Sequence, residues 1–278
     1  MKKILVPVDF SAHSEYALET ASAFAKAHNA EIILLHMLGL SDSILPKDES
    51  EGVNQAVFHM KLTEKQFKEF RNKSYMKGIT VTENVQNHTV FQDINELATE
   101  QEVDLIVMGS HGVKGLREEF IGSNTEKVVR SSSIPVLVVK EKMTSFIPKN
   151  VVFACDFKLE NVNAYREAIP LFEEMEARIH LVYVNLPTDR FKSSKEIEET
   201  MANFMHAAEF GTGLHQEDLV IVNGYTIESG LYEYAEKVGA DALAMPTHGR
   251  KGLAHFFAGS VAENVANHAK LPVFTFKM

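Results

Sequence analysis

The stretch KKILVPVDF at residues 2–10 recurs as KNVVFACDF at residues 149–157, 147 positions further along the chain. A second stretch, SHGVKGL at residues 110–116, recurs as THGRKGL at residues 247–253, 137 positions further along. Repeats of this length indicate that one structural unit occurs twice. We therefore predict that the chain consists of two homologous domains of ordinary size.

The two predicted domains, residues 1–143 and 148–278, each alternate short apolar runs with longer helical patterns. Runs that are apolar throughout and separated by helices are typical of a parallel sheet covered on both faces. We predict an α/β fold, with two tandem doubly wound domains of five parallel strands in the order 3-2-1-4-5. In the first domain, strands are predicted at 3–8, 31–37, 79–85, 103–109 and 135–140, and helices from Ser11 to about His28 and at 54–76, 92–101 and 123–131.

Apolar spacing predicts which helix faces are buried. The first helix has an inward stripe of Ala17, Leu18, Ala21, Phe24 and Ala25. Helix 54–76 contains Phe58, Leu62, Phe67 and Phe70, which we expect in the core. Residues 38–53 are expected to form a surface loop, and Pro170 to kink the first helix of the second domain.

Composition limits the classes of partner. The 278 residues are 45% hydrophobic and 24% charged, which is typical of globular proteins. The net charge of −10 argues against nonspecific binding of nucleic acid. The single cysteine, Cys155, excludes an intrachain disulfide, and neither an export signal nor a membrane span is recognisable. We expect a cytoplasmic protein without nucleic-acid or membrane partners.

A ligand site is expected where neighbouring parallel strands send their connections to opposite faces of the sheet. In the order 3-2-1-4-5 this point lies between strands 1 and 4. Asp9 and the loop that opens at Gly109 would then face one crevice. In this loop Gly109 and Gly112 would let the chain curl beside a ribose.

The loop ends at Gly122-Ser123, where the fourth helix is predicted to begin. A helix start exposes unpaired N–H groups and the positive end of the helix dipole, so it attracts phosphate. Gly122, Ser123 and Asn124 are therefore the candidate phosphate contacts. The hydroxyls of Ser123 and Thr125 could add hydrogen bonds or help to hold a metal bound to the phosphates.

Over nearly its whole length the chain resembles the universal stress protein family, whose domains bind adenine nucleotides and often occur in tandem. The ATP-binding subclass carries Gly, two residues, Gly, nine residues, then Gly with Ser or Thr. Gly109, Gly112, Gly122 and Ser123 match this spacing in full. The Asp9 stretch and the strand ends 35–37 and 135–139 are also family-like.

The resemblance implies ATP as the ligand, with Mg²⁺ left open, and assigns the remaining contacts. Asp9 would contact the ribose or adenine, and Val8 and Met37 would meet adenine through their backbones. Met108 would form the floor of the pocket. Pro7 and His111 complete the predicted set, with His111 as a structural or backbone contact rather than an acid–base group.

The second domain departs from the pattern, because Pro246 replaces the first glycine of the loop. A turn that needs glycine's freedom would be distorted there. Ala154 and Cys155 also replace Pro7 and Val8. A second, partly degenerate site is left open at Asp156, Val184, His248, Gly249, Gly259 and Ser260.

Three classes of function remain at this point. The first is a stress-response regulator that binds ATP and has no catalytic residue. The second is a slow ATPase or phosphotransferase, although no Gly-x-x-x-x-Gly-Lys-Ser/Thr loop is present. The third is a nucleotide-free dimerising scaffold. The resemblance implies an intramolecular pseudo-dimer in which strands 135–140 and 271–277 pair antiparallel, and a further homodimer is left open. The sequence contains no paired histidine motif, and we therefore predict no metal site.

Overall fold

The computed structural model describes residues 1–38, 49–86, 92–110, 123–187, 190–208, 219–247 and 271–278. Contacts between Cα atoms divide the chain into two compact units. The described residues of the first unit are 1–110, 123–128 and 139–146, with the gaps given above, and those of the second are 129–138 and 147–278.

The first unit contains a parallel sheet in the order β3-β2-β1-β4. Its strands are β1 (Lys3–Pro7), β2 (Glu31–Met37), β3 (Val81–Gln86) and β4 (Leu105–Gly109). The Ser110 N–H donates to the Val139 carbonyl, 2.9 Å away, at the end of β5 (Val136–Val139). The predicted α/β class and the order of the first four strands are confirmed.

The helices of the first repeat are α1 (Ala12–His28), α2 (Glu49–Arg71), α3 (Gln92–Glu100) and α4 (Ser123–Ser131). The Ser11 side chain caps α1 by accepting from the Ser14 N–H, as the sequence predicts. The inward stripe of α1 is confirmed, because its five predicted residues are all at most 2% exposed. This stripe holds α1 against the sheet next to the end of β1.

Helix α2 differs from its prediction. It begins at Glu49, so residues 49–53 are helical rather than loop, and a separate 3₁₀ turn at Ser74–Met76 follows it. Phe67 and Phe70 are buried, but Phe58 is 65% and Leu62 43% exposed, so these two are not core residues. The cause is length: 23 helical residues span about 35 Å, whereas the seven residues of β2 span about 23 Å, so the sheet cannot cover the whole helix.

The second unit contains a sheet in the order β5-β10-β9-β6-β7-β8. Its further strands are β6 (Asn150–Ala154), β7 (Arg178–Asn185), β8 (Leu219–Asn223), β9 (Ala242–Thr247) and β10 (Val273–Lys277). Strands β6 to β10 are mutually parallel and repeat the predicted order. Val136–Val138 of β5 pair antiparallel with Val273–Thr275 of β10. The intramolecular pseudo-dimer as an assembly, and a homodimer, stay predictions.

The described helices of the second unit are α5 (Val162–Glu174), α6 (Ser194–Ala207) and α7 (Ile227–Val238). Helix α5 continues through Pro170, which lies on its exposed side. A 3₁₀ turn at Leu159–Asn161 precedes α5. Among the residues that the structure describes, no helix has both the length and the apolar character to span a membrane.

Candidate functional site

The predicted crevice of the first unit lies where β1 ends between β2 and β4. Strand β1 pairs in parallel with both neighbours, with Pro7 opposite Leu35 and Leu5 opposite Ile106. The carboxyl ends of parallel strands meet at one edge of a sheet. Pro7, Val8, Met37, Met108 and Gly109 therefore lie at this edge.

Asp9 forms the turn that carries the chain from β1 into α1. Its Oδ1 atom accepts from the Ser11 N–H across 3.1 Å. Phe10, between them, has a left-handed backbone with φ of 62°. Asp9 therefore has the turn-forming role that strand-end aspartates commonly have, and the turn keeps its carboxylate at the crevice.

The backbone of Val8 is held from two sides. Its N–H donates to the Leu35 carbonyl at 2.8 Å, and its carbonyl accepts from Nδ1 of His36, also at 2.8 Å. Because a carbonyl can only accept, Nδ1 of His36 carries the proton. The Phe10 ring packs against the imidazole with 4.6 Å between ring centroids. Sequence reasoning assigned His36 no role, although a polar residue in an otherwise apolar strand is a signal.

Gly109 is a glycine because α1 passes very close to it. A Cβ at this position would lie 2.6 Å from both the carbonyl carbon and the carbonyl oxygen of His13. The two described glycines with positive φ are Gly78 and Gly239, so Gly109 needs no left-handed conformation. The expectation that this position requires glycine's backbone freedom is therefore wrong, because the constraint is steric.

A buried hydrogen bond joins the two ends of the glycine-containing loop. The hydroxyl of Thr125, in the first turn of α4, donates to the Gly109 carbonyl across 2.8 Å. This bond places the beginning of α4 beside the end of β4. Asn124 is exposed and Thr125 is 4% exposed. Ser123 begins α4 as predicted, whereas His111, Gly112 and Gly122 lie outside the described residues.

The second unit has a cavity of about 110 Å³ at the corresponding strand ends. Strands β6, β7 and β9 contribute to it, and Ile227 and Leu231 of α7 close one side. The lining consists of Ala154, Cys155, Asp156, Asn161, Val182, Tyr183, Val184, Ile227, Leu231, Met245, Pro246 and Met278. Asp156 and Val184 of the predicted second site are thus together, whereas His248, Gly249, Gly259 and Ser260 lie outside the described residues.

Asp156 makes several contacts within its own loop. Its Oδ1 accepts from the Lys158 N–H at 3.1 Å and from the Asn161 side-chain amide at 2.5 Å. Its Oδ2 pairs with Nζ of Lys158 at 2.7 Å. The hydrogen bond to this carboxylate raises the pKa of the Lys158 ammonium. Lys158 and Asn161 were missed by sequence reasoning, although both follow Asp156 within five residues.

Two further residues of the lining, Cys155 and Pro246, differ from their equivalents in the first repeat. Burial raises the pKa of the Cys155 thiol to about 12, so the thiol is neutral near pH 7. Pro246 lies inside β9 and is paired with Phe276, so the strand continues through it and no distorted turn forms. The equivalent of the first turn of α1 is the 3₁₀ turn before α5.

The described residues contain no group of three or more histidine, cysteine, aspartate or glutamate side chains that could hold a metal ion. A metal ion that is coordinated mainly by the phosphates of a nucleotide needs fewer coordinating side chains than a group of three provides. The expectation that Mg²⁺ accompanies ATP therefore stays a prediction.

Comparison with known proteins places both halves in one group. The model of the universal stress protein family matches residues 1–140 and 148–277. Universal stress protein MJ0577 of Methanocaldococcus jannaschii is 36% identical over 156 residues, which are 51% of this chain and 96% of that protein. Universal stress protein YxiE of Bacillus subtilis is 31% identical over 153 residues, 50% of this chain and 98% of that protein.

A solved structure shows the same fold over both halves. The crystal structure of a universal stress protein from Archaeoglobus fulgidus aligns with a TM-score of 0.69 at 22% identity. The alignment covers 99% of this chain and 98% of the other.

Proposed function

The chain belongs to the universal stress protein family, and from this membership we propose that its first domain binds ATP in the crevice between β1 and β4. The nucleotide would act as a regulator in the stress response of the cytoplasm. The single observation that carries the proposal is the Thr125–Gly109 hydrogen bond, which brings the beginning of α4 to the end of β4.

The beginning of α4 is the proposed phosphate end of the site. The first N–H groups of a helix have no partner within the helix and point along its dipole, so they suit phosphate oxygens. Gly122, Ser123 and Asn124 would supply these groups. Thr125 would act as a positioning residue, because its proton is donated to Gly109. The Ser123 hydroxyl would help to hold a Mg²⁺ bound to the phosphates.

The ends of β1 and β2 are the proposed base and sugar end of the site. Val8 and Met37 would present backbone atoms to adenine, and Met108, which is 6% exposed, would lie beneath it. The Nδ1–carbonyl bond from His36 fixes the direction of the Val8 carbonyl. Asp9 would accept from the ribose hydroxyls or the adenine amino group.

The remaining predicted contacts complete the crevice. Pro7 would limit its width, and Gly112 and His111 would lie beside the ribose through their backbone. A ligand shifts a protein between two states only by its different affinity for them. The proposal is therefore that ATP binds one conformation of the first domain more tightly and thereby selects its partner.

The test uses the full chain with two matched variants. Purified protein is denatured, and the released nucleotide is identified by mass and quantified per chain. We expect an adenine nucleotide near one per chain in the wild type. Gly122→Val should remove it, because a side chain at the helix start would block close approach of phosphate.

The matched variant is Gly259→Val, at the equivalent position of the second repeat. It should leave the nucleotide content unchanged. Nucleotide that survives Gly122→Val, or is lost only with Gly259→Val, would contradict the proposed location. Rapid, linear release of ADP at saturating ATP would favour the alternative of an enzyme over a regulator.

A further inference from the structure

Strand β8 forms the outer edge of the sheet in the second unit. It pairs in parallel with β7 on one side, and no strand among the described residues pairs with its other side. The Gly224 N–H donates to the Asn185 carbonyl of β7 at 3.2 Å. Because successive residues of a strand direct their N–H and C=O groups to opposite sides, those of Leu219, Ile221 and Asn223 point away from β7. This edge therefore offers a row of donors and acceptors that suits another strand.

The side chains of β8 do not protect this edge. Edge strands usually carry a charged residue, a proline or a bulge that discourages pairing with another chain. Strand β8 reads Leu-Val-Ile-Val-Asn, which contains neither a charge nor a proline. The side chain of Ile221, in its centre, leaves the residue 44% exposed. An apolar and uncharged edge of this kind favours pairing with a strand of another chain.

The equivalent edge of the first unit is different. Val85 of β3 lies opposite His36 of β2. Ile221 lies opposite Tyr183, which is the equivalent of His36 in the second repeat. Val85 is 42% exposed, nearly the same as Ile221. However, β3 also contains Glu83, whose carboxylate forms an ion pair within the first unit at 3.1 Å. A charged side chain thus protects the edge of β3, whereas β8 has none.

A second copy of β8 fits the outer edge of β8. An antiparallel pair centred on Ile221 places this residue opposite its own copy, and Val220 opposite Val222 of the partner subunit. No charges meet in this register, and cross-strand pairs of apolar β-branched residues stabilise a sheet. Because both chains use the same surface, the contact closes as a two-fold dimer.

The second unit already contains one pairing of this geometry. Strands β5 and β10 are the fifth strands of the two repeats, and they pair antiparallel with Leu137 opposite Phe274. These residues are 137 positions apart, which is the spacing of the repeated glycine-containing loop. Each therefore lies opposite its own equivalent, so equivalent strands of this chain pair about an approximate two-fold axis.

We propose that the outer edge of β8 is a dimerisation surface, to which β8 of a second copy adds in antiparallel orientation centred on Ile221. The partner is a strand because the edge presents backbone groups, which strand addition satisfies. A contact between two five-residue strands is small, so we expect a reversible dimer with a micromolar dissociation constant. The proposal does not depend on ATP binding, because the residues that carry it belong to the second unit.

The first test measures the mass of the full chain. Sedimentation equilibrium over a range of concentrations should show a reversible change towards twice the 31.1 kDa mass of one chain. Ile221→Glu places two carboxylates opposite each other at the centre of the interface and should raise the dissociation constant about tenfold or more. Val85→Glu, the matched change at the equivalent exposed position, should leave it unchanged. Thermal unfolding followed by circular dichroism confirms that each variant is folded.

Disulfide cross-linking tests the register. In Ile221→Cys the two thiols would face each other, and the Cα atoms of a hydrogen-bonded antiparallel pair lie about 5.5 Å apart, within the range of a disulfide. Mild oxidation should therefore link two chains. Asn223→Cys alone should not link, because its partner is Leu219, whereas a mixture of Asn223→Cys and Leu219→Cys should. The native Cys155 is 6% exposed, so the wild type should stay unlinked.

The proposal fails if the wild type stays monomeric at every concentration, or if Ile221→Glu and Val85→Glu weaken the dimer equally. It also fails if oxidised Ile221→Cys stays unlinked, or if Asn223→Cys alone links as efficiently. A dimer that persists undiminished in Ile221→Glu would lie at another surface and would overturn the proposal. Since Ile221→Cys adds no charge, cross-linking decides the question even if Ile221→Glu does not fold.

Discussion

Gly109 shows how one residue can be required for a reason that its neighbours in sequence do not reveal. The sequence indicates a loop glycine, and loops usually need glycine for positive φ. Here the requirement is the contact with the His13 backbone, 2.6 Å from where a Cβ would lie. Because the obstructing atoms belong to the backbone of α1, no side-chain rotation can relieve the overlap.

We expect Gly109→Ala to lower the free energy of unfolding of the first unit by about 1–3 kcal/mol, since an overpacked methyl forces α1 and β4 apart. Urea unfolding measures this loss. Pro246→Ala, at the equivalent position of the second repeat, should cost less than about 1 kcal/mol, mainly through the unfolded chain. Equal losses at the two positions would contradict the steric explanation.

The two aspartates that follow the first strand of each unit also differ in a way that residue type alone does not reveal. Asp9 and Asp156 are equivalent in the two repeats, and both are followed by a phenylalanine with left-handed φ. Lys158 occupies the place of Ser11, and its ammonium pairs with Asp156. A single replacement two residues away therefore gives the second aspartate an ion-pair partner within its own loop.

At the scale of elements, one aspartate in each unit joins the starts of two parallel strands. Oδ2 of Asp104 accepts from the N–H groups of Lys2 and Lys3, at 2.5 and 2.9 Å. Asp241 does the same for the N–H groups of residues 149 and 150, at 2.7 and 2.8 Å. Each aspartate thus links the first strand of its unit to the strand on the other side of the crevice.

We expect Asp104→Ala and Asp241→Ala each to lower the free energy of unfolding by about 1–2 kcal/mol, because two N–H groups lose a charged acceptor. Urea unfolding of the full chain measures the effect. The Asn variants keep an acceptor oxygen and should lose less. If Asn and Ala variants are equally unstable, or neither differs from the wild type, the linking role is wrong.

Element prediction succeeded where local pattern decides the structure. Helix α4 begins and ends as predicted, and Ser11 caps α1. Helix α2 was predicted least well, because its first residues are not apolar and its burial depends on how far the sheet extends beneath it. Length relative to the sheet is a tertiary property that no local window contains.

At the scale of the whole chain, the last strand of the first repeat contributes to the second unit. Val136–Val138 pair antiparallel with Val273–Thr275, and the Thr275 hydroxyl donates to the Val136 carbonyl at 3.3 Å. Residues 129–138 accordingly group with the second unit. Pairing covers an apolar strand edge that would otherwise invite aggregation.

Hydrogen exchange of backbone amides tests whether the strand at residues 136–138 belongs to the second unit. Amides open together with the cooperative unit in which they are bonded. In Asp241→Ala we expect the amides of Val136–Val138 to exchange faster, together with those of β10. In Asp104→Ala, which weakens the first unit, their exchange should stay near that of the wild type. The reverse pattern would assign this strand to the first unit.

The sequence by itself determined the duplication, the α/β class, the strand order and the edge of the sheet at which a ligand site is expected. These follow from apolar periodicity, helix caps and repeated motifs, which are local or recur at a constant spacing. Only the tertiary structure decided the steric role of Gly109, the exposure of Phe58, the bond from Thr125 to Gly109 and the internal pairing of Asp156 with Lys158. Each depends on the distance between specific atoms, and folding rather than residue type sets that distance.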